Sequence, residues 1–495
     1  MRKLFGVLLI GLVFSACADT RVAENEDGAR EGFRELFSRG YYPGRSGQIF
    51  FILEPGEILL RRPMGRYRFM HGGPWVYDRD IPLFFYGPGV IGSGTREEPA
   101  HQQDIAPSLL SLVDVPPSAT MTGRDLTLSR SEERPRAIVV VVLDGMRKDY
   151  FERYGDGLPT LTRMAREGLR FEHASVNYLP TVTSAGHTTI ATGADPNRHG
   201  ISGNGYFDRR SGETRTLFEG MRPDNVMVPG LADVWATTLG PDAVVVAQGT
   251  TPRATVSLAG HGRCQPNGRA VAMAMFDYRS ASFVTARDCY VLPTYLEPLD
   301  ARPIWERSER EYRDLQLATG RDFVTTDLFP SFQVDALLAM LEGESIGKDE
   351  VPDLVLVNMK TPDYVGHFYG PESEEMRHAL EAIDRQLSRV LDALEASAGE
   401  GRFVVAVTAD HGMPSEPSHG ERRFIRELND AVLDTLDPDA RTLLHEYLDT
   451  ANLQLYVDRA RMAELGIDLR DIAATVEALP YIRAAFTEDD IRSVR

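Results

Sequence analysis

Cysteine is scarce in this chain, with three in 495 residues. That is too few for a disulfide framework. Long apolar runs are also missing. The run at 4–14 is too short to span a bilayer as a helix, and no other run is longer. Basic charge is in deficit: 54 Lys and Arg stand against 73 Asp and Glu, a net charge of −19. A duplex nucleic-acid binder needs a basic face, so that class is disfavoured. The deficit does not exclude a small phosphate substrate, because a bound metal and local arginines can reverse the field inside a cleft. No internal repeat or low-complexity tract is present.

What is there begins with Met1-Arg-Lys, an apolar stretch, and then Ser15-Ala16-Cys17-Ala18. These are the basic, apolar and small-residue parts of a secretory signal over 1–18. Two readings of its end stand. Cys17 is the lipidated first residue of a membrane-tethered lipoprotein, although Phe14 replaces the usual Leu, or Ala16-Cys17-Ala18 is an ordinary cleavage site. Either way the chain is expected outside the cytoplasm, in a periplasm. Once Cys17 is lipidated or removed, Cys264 and Cys289 remain, as a disulfide pair or as two buried thiols.

The length exceeds one typical domain, and 42% hydrophobic residues allow a large core. Short strands are expected at 48–53 and 81–86, and a helix at 104–112. Residues 137–143, Ala-Ile-Val-Val-Val-Val-Leu, read as a central parallel strand. Helices follow at 158–167 and 184–192, each stopped by glycine. Strands at 354–357 and 403–408 flank a helix at 372–396. The alternation implies an α/β fold: a central, mainly parallel sheet sandwiched by helices. The stretches of weaker periodicity, about 205–330 and 420–484, read as inserted caps.

The chemistry sits at the strand ends. Asp144 ends one strand, Ala409-Asp410-His411-Gly ends another, and Asp363-Tyr-Val-Gly-His367 follows a third. Open α/β sheets bind ligands at that edge, and Asp/His sets of this kind hold catalytic metals. Tyr178-Leu-Pro-Thr-Val-Thr183-Ser-Ala-Gly-His187 leads into a helix, with Thr183 expected at the N-cap. A hydroxyl there is a plain cap, or a nucleophile if a metal lowers its pKa.

Taken together, Val-Val-Val-Leu-Asp144-Gly-Met, Thr183-Ser-Ala-Gly-His, His199-Gly-Ile-Ser-Gly-Asn204 and the two Asp/His motifs resemble the alkaline phosphatase superfamily. The similar branch holds nucleotide pyrophosphatase/phosphodiesterases and phosphate-irrepressible alkaline phosphatases. The resemblance implies two zinc ions bridged by phosphate, with Thr183 as nucleophile and a phosphothreonine intermediate. One ion would be held by Asp144, Thr183, Asp410 and His411. The other would be held by Asp363, His367 and one further histidine. In the family that histidine lies far downstream, but here His419 follows too closely and His445 falls in a helical stretch.

The missing ligand has a counterpart upstream. Arg45-Ser-Gly-Gln-Ile, His71-Gly-Gly-Pro-Trp-Val-Tyr-Asp78, Ile81-Pro-Leu-Phe-Phe-Tyr-Gly-Pro-Gly89 and Gly123-Arg-Asp-Leu resemble the family's C-terminal segment. The expected order is therefore circularly permuted, with His71 as the third ligand. It runs: a flexible tether at 19–38, the permuted C-terminal part of the core at 39–128, a charged linker at 129–135, and the nucleophile-bearing core at 136–204. A cap insertion at 205–330, core with metal motifs at 331–419, and a second insertion returning to the core at 420–495 complete it. By the same resemblance Asn204 and Arg253 would bind phosphate oxygens. A lysine two residues before that arginine, usual in monoesterases, is replaced by Thr251.

The implied activity is zinc-dependent hydrolysis of a small phosphate ester, an alkaline phosphatase-type monoesterase. A phosphodiesterase or nucleotide pyrophosphatase is the alternative, and the Thr251 replacement leaves room for it. A sulfatase would need Cys or Ser in a C/S-x-P-x-R context, which the Thr183 segment lacks. A phosphonate-type member would keep the metals, and a non-catalytic surface lipoprotein would be expected to break the ligand set. The oligomeric state is not readable.

Overall fold

Ala137–Leu143 is apolar at every position because both its faces are covered, and all seven residues are buried. Burying each Val or Leu side chain contributes roughly 1.5–3 kcal/mol. In a computed structural model, this strand lies at the middle of a nine-stranded sheet. The structure describes residues 26–60, 68–128, 134–304, 306, 323–415, 422–439, 441–445 and 452–494. The expected signal and lipid site, the first part of the tether and most of the charged linker lie outside these residues, as does His419.

Five strands form the parallel centre: Ala272–Asp277, Val245–Gly249, Asp353–Met359, Ala137–Leu143 and Phe403–Thr408. Leu83–Tyr86 then adds antiparallel to Phe403–Thr408, so a segment from before the central strand enters the sheet beside it. Register fixes the active edge. Leu143 pairs with Met359 and Val142 with Thr408, so Asp144, Lys360 and Asp410 leave the sheet at one level. Helices Pro159–Glu167, Phe329–Gly343 and Glu374–Ala398 pack around it.

Three expectations are corrected. Residues 205–330 are not simply a cap, because Val245–Gly249, Ala272–Asp277 and Ser282–Val284 extend the main sheet. Their periodicity is masked because these strands are short and mix small residues with Met and Gln. The tether is not flexible throughout. Glu26–Gly40 is a helix, with Phe33, Leu36 and Phe37 at helical spacing buried in a second core. That core lines a four-stranded sheet in which Ile49–Leu53 lies between Gln454–Val457 and Ile482–Thr487. Leu444–His445, Gln454–Val457 and Ile482–Thr487 thus build this smaller sheet with the early chain, and no described strand after 420 returns to the main one.

Cys264 and Cys289 form a disulfide across 25 residues of sequence. Closing a loop of that size removes unfolded-state entropy worth about 3 kcal/mol. Replacing both cysteines with serine should lower unfolding stability by about that amount in urea titration. Reducing agent should then have no effect on the double variant.

Candidate active site

Thr183 opens the buried helix Thr183–Thr192. It is the first helical residue and not the cap; Val182 caps the helix without a side-chain bond. The helix approaches the sheet edge closely because Gly186 faces Asp410, where any Cβ would lie 2.5 Å from the Asp410 carbonyl oxygen. The Thr183 hydroxyl comes to 3.3 Å from His411 Nε2.

The structure brings all seven expected metal ligands together, each buried. Asp363 Oδ1 lies 3.4 Å from His71 Nε2 and 3.3 Å from His367 Nε2. Asp410 Oδ2 lies 3.1 Å from His411 Nε2, and Asp144 Oδ1 lies 3.7 Å from the same nitrogen. The His71 ring stacks on His411 with centroids 3.5 Å apart, which joins the two groups. His445, by contrast, stacks on Phe207.

The donor set fits divalent metal ions. His71, His367 and His411 each use Nδ1 toward a backbone carbonyl, of Thr181, Phe69 and Gly412 at 2.8, 2.7 and 2.9 Å. That fixes Nδ1 as the donor and turns the Nε2 lone pair inward, the arrangement a metal-ligating histidine needs. Both oxygens of Asp363 and Oδ2 of Asp410 are buried without a well-formed hydrogen bond among the described residues. Cys264, Asp288 and Cys289 also lie close together, but the disulfide consumes both sulfurs.

Two residues unforeseen in sequence complete the centre. His187 spends Nδ1 on the Thr183 carbonyl at 3.0 Å and meets Asn358 Nδ2 through Nε2 at 2.9 Å, so it braces the helix against the sheet. Lys360 is fully buried. Its amine donates to Asp144 Oδ1 at 2.7 Å and to the Thr183 hydroxyl at 3.1 Å, and lies 2.7 Å from Asp363 Oδ2. A lysine directly after the mostly apolar strand Asp353–Met359, three residues before Asp363, was the signal available in sequence.

Electrostatics follow the crowding. Burial would raise Asp363 and Asp410, but His367 and Lys360 hold the first, and His411 and His187 the second, well below the usual carboxylate range. Burial and the neighbouring Asp410 push Asp144 up to about 6. Burial and His411 push His71 down to about 3, which keeps its imidazole neutral.

Asn204 Oδ1 accepts from Ser184 N at 3.2 Å and Ser184 Oγ at 2.9 Å. Its Nδ2 is left as the donor at the helix start. Arg253 lies on helix Pro252–Ala259, which follows the sheet strand Val245–Gly249. Its Nε is buried with no hydrogen-bond partner among the described residues.

The model of one known family, type I phosphodiesterase / nucleotide pyrophosphatase, matches residues 138–484. The chain belongs to that family. It is a hydrolase of phosphoester bonds. Similar relatives include the alkaline phosphatase PafA of Elizabethkingia meningoseptica, 26% identical over 68% of this chain and 72% of that protein. Alkaline phosphatase PhoV of Synechococcus elongatus is 26% identical over 57% of this chain, which spans 60% of PhoV. A crystal structure of PafA superposes with a TM-score of 0.61 at 22% identity, covering 71% of this chain and 78% of that one. That likeness carries the fold. No described helix is long and apolar enough to cross a membrane.

His71→Ala should remove an imidazole from the Asp363 group without touching the sheet. Bound divalent metal, measured by plasma mass spectrometry, should fall together with turnover. Full occupancy with unchanged turnover would show that His71 is incidental.

Proposed function

We propose that this chain is an exported, zinc-dependent phosphate-ester hydrolase that works through Thr183. The observation that carries the reading is the Thr183 hydroxyl at the start of a buried helix, 3.3 Å from His411 Nε2. Around it stand two Asp/His groups whose Nε2 lone pairs face inward. Asp144, Thr183, Asp410 and His411 would hold one ion, and Asp363, His367 and His71 the other. When bound, the ions would supply positive charge at the attacking and leaving oxygens of an in-line displacement.

The chain's own residues do the rest. The Thr183 oxygen would attack phosphorus while the bond to the leaving alcohol oxygen breaks, and that oxygen takes a proton from water. The hydroxide left by that proton transfer would then attack the phosphothreonine, releasing hydrogen phosphate and returning the deprotonated threonine oxygen. Asn204 Nδ2, Arg253 and the helix start would hold the non-bridging oxygens. A recess lined by Leu53, Met70, Trp75, Tyr77 and Pro414 opens beside His71 and suits the leaving group.

We also read the chain as circularly permuted. Residues before 138 lie outside the family match, yet they supply an inner sheet strand and His71. Ile49 pairs with Thr487, and Arg30 bonds Glu477, so early and late segments are adjacent. Adjacent ends are what makes permutation tolerable. Export is supported by the disulfide, which persists in oxidising compartments. Lipidation at Cys17 belongs to the same reading. A phosphodiesterase is the second reading, favoured by Thr251 in place of lysine and by the relatedness to human ectonucleotide pyrophosphatase/phosphodiesterase family member 1, 22% identical over 55% of this chain.

Hydrolysis of p-nitrophenyl phosphate and bis-p-nitrophenyl phosphate, with zinc added, separates the readings. The monoester should turn over faster, and Thr183→Ala should abolish that turnover. Faster diester turnover would establish the phosphodiesterase. Absence of both activities would leave a binding protein.

A further inference from the structure

Lys360 has no role in the reading above, and its position is costly. A buried ammonium loses its hydration and persists only where paired charges and hydrogen bonds replace it. Lys360 bridges Asp144 and Asp363, one carboxylate from each metal-holding group, and reaches the nucleophile as well. Both carboxylates already face histidines. Once ions bind, neither carboxylate needs the lysine for neutrality.

Opposite Lys360, across the strand ends, lies a set of donors without acceptors. Gln248 pairs with Val357, so Thr250 and Thr251 leave the sheet level with Met359 and Lys360. The hydroxyls of Thr250, Thr251 and Thr361 are buried and lack a hydrogen-bond partner among the described residues, as does Arg253 Nε. Arg253 stands in the first turn of the helix that begins directly after Thr251. Such a gathering calls for an anion with several acceptor oxygens.

We propose that Lys360 is a catalytic cation that supplies, from the sheet edge, the positive charge that Thr251 cannot, and that it selects a phosphate monoester dianion. The inference rests on the two-ion hydrolase reading and deepens it. Three carboxylates set against two divalent ions, Lys360 and Arg253 leave three positive charges. A monoester dianion and the Thr183 alkoxide together neutralise them, whereas a diester monoanion leaves one uncompensated. Lys360 keeps its proton throughout. Its N–H donates to the Thr183 oxygen as that oxygen forms the bond to phosphorus, and again as the same bond breaks and the oxygen recovers its negative charge.

The test compares wild type with Lys360→Met. It reads bound zinc, affinity for inorganic phosphate by calorimetry on the zinc-loaded protein, and kcat/KM for the two p-nitrophenyl substrates. The methionine variant should keep its zinc and lose about tenfold or more in phosphate affinity. Its monoester kcat/KM should fall about 100-fold, the scale of one lost oxyanion donor, with a much smaller fall for the diester. Unchanged phosphate affinity, equal losses on both esters, or loss of zinc would overturn the proposal; zinc loss would make Lys360 an organiser of the carboxylates. If the methionine variant does not fold, Lys360→Gln carries the same test, because it keeps a donor for the carboxylates without the charge. A wild type that turns over neither ester sinks the hydrolase reading, and the phosphate-affinity arm still decides whether Lys360 binds the anion.

Discussion

Three buried carboxylates facing one another are the constraint on which the rest of this molecule depends. Asp144, Asp363 and Asp410 are each at most 1% exposed. Carboxylates at that depth are stable only if paired, protonated or bound to a cation. The fold answers with Lys360 and four histidines, and three of these, His71, His367 and His411, turn Nε2 inward in the way that suits a divalent ion. The sheet register makes this unavoidable, because it places Asp144, Lys360 and Asp410 at one level on adjacent strands. Moving any of them would slip a strand whose two faces are both buried, and every side chain on it would change faces.

The histidines show how much of the site's precision comes from the backbone. Each inward-facing imidazole is oriented by a carbonyl on a different segment: Thr181 before the nucleophile helix, Phe69 ahead of the antiparallel strand, and Gly412 after the last parallel strand. The segment before the central strand therefore contributes twice. It brings His71, and through the Phe69 carbonyl it fixes His367. Disturbing it would affect the group at Asp363 and also the chain beside His411, because Gly412 and Met413 donate their N–H groups to the Asp78 and Tyr77 carbonyls.

The parts of the site with an apolar strand before them were legible in sequence. Ala137–Leu143 and Phe403–Thr408 were read at their observed bounds, and their terminal Asp144 and Asp410 followed. The Thr183 helix was legible from its glycine stop, within one residue at its start. The strands at 245–249 and 272–277 were not, because they are short and carry Gln248, Met273 and Met275, which give neither a β-branched run nor a clean alternation. The Glu26–Gly40 helix was hidden for another reason. Its apolar face is only three residues wide, and its polar start resembles a tether. Lys360 was missed because a lysine is ordinarily solvated; only the placement of its strand between two others buries it.

The nucleophile end of the site leans on the smaller sheet as well. Asn452 precedes the strand Gln454–Val457, donates to the Gly205 carbonyl at 3.1 Å and accepts from Asn204 N at 3.4 Å. Gly203 leaves room for it, since a Cβ there would lie 2.3 Å from Asn452 Nδ2. Asn204 in turn holds Ser184 at the start of the helix that carries Thr183. The Asn204 side chain at the helix start is thus positioned from a sheet whose inner strand, Ile49–Leu53, comes from the early chain. His71 comes from the chain that precedes Ala137–Leu143, and Asn204 is braced from a sheet that this chain helps to build. The early segment is for this reason part of the catalytic architecture, whatever order of connection brought it there.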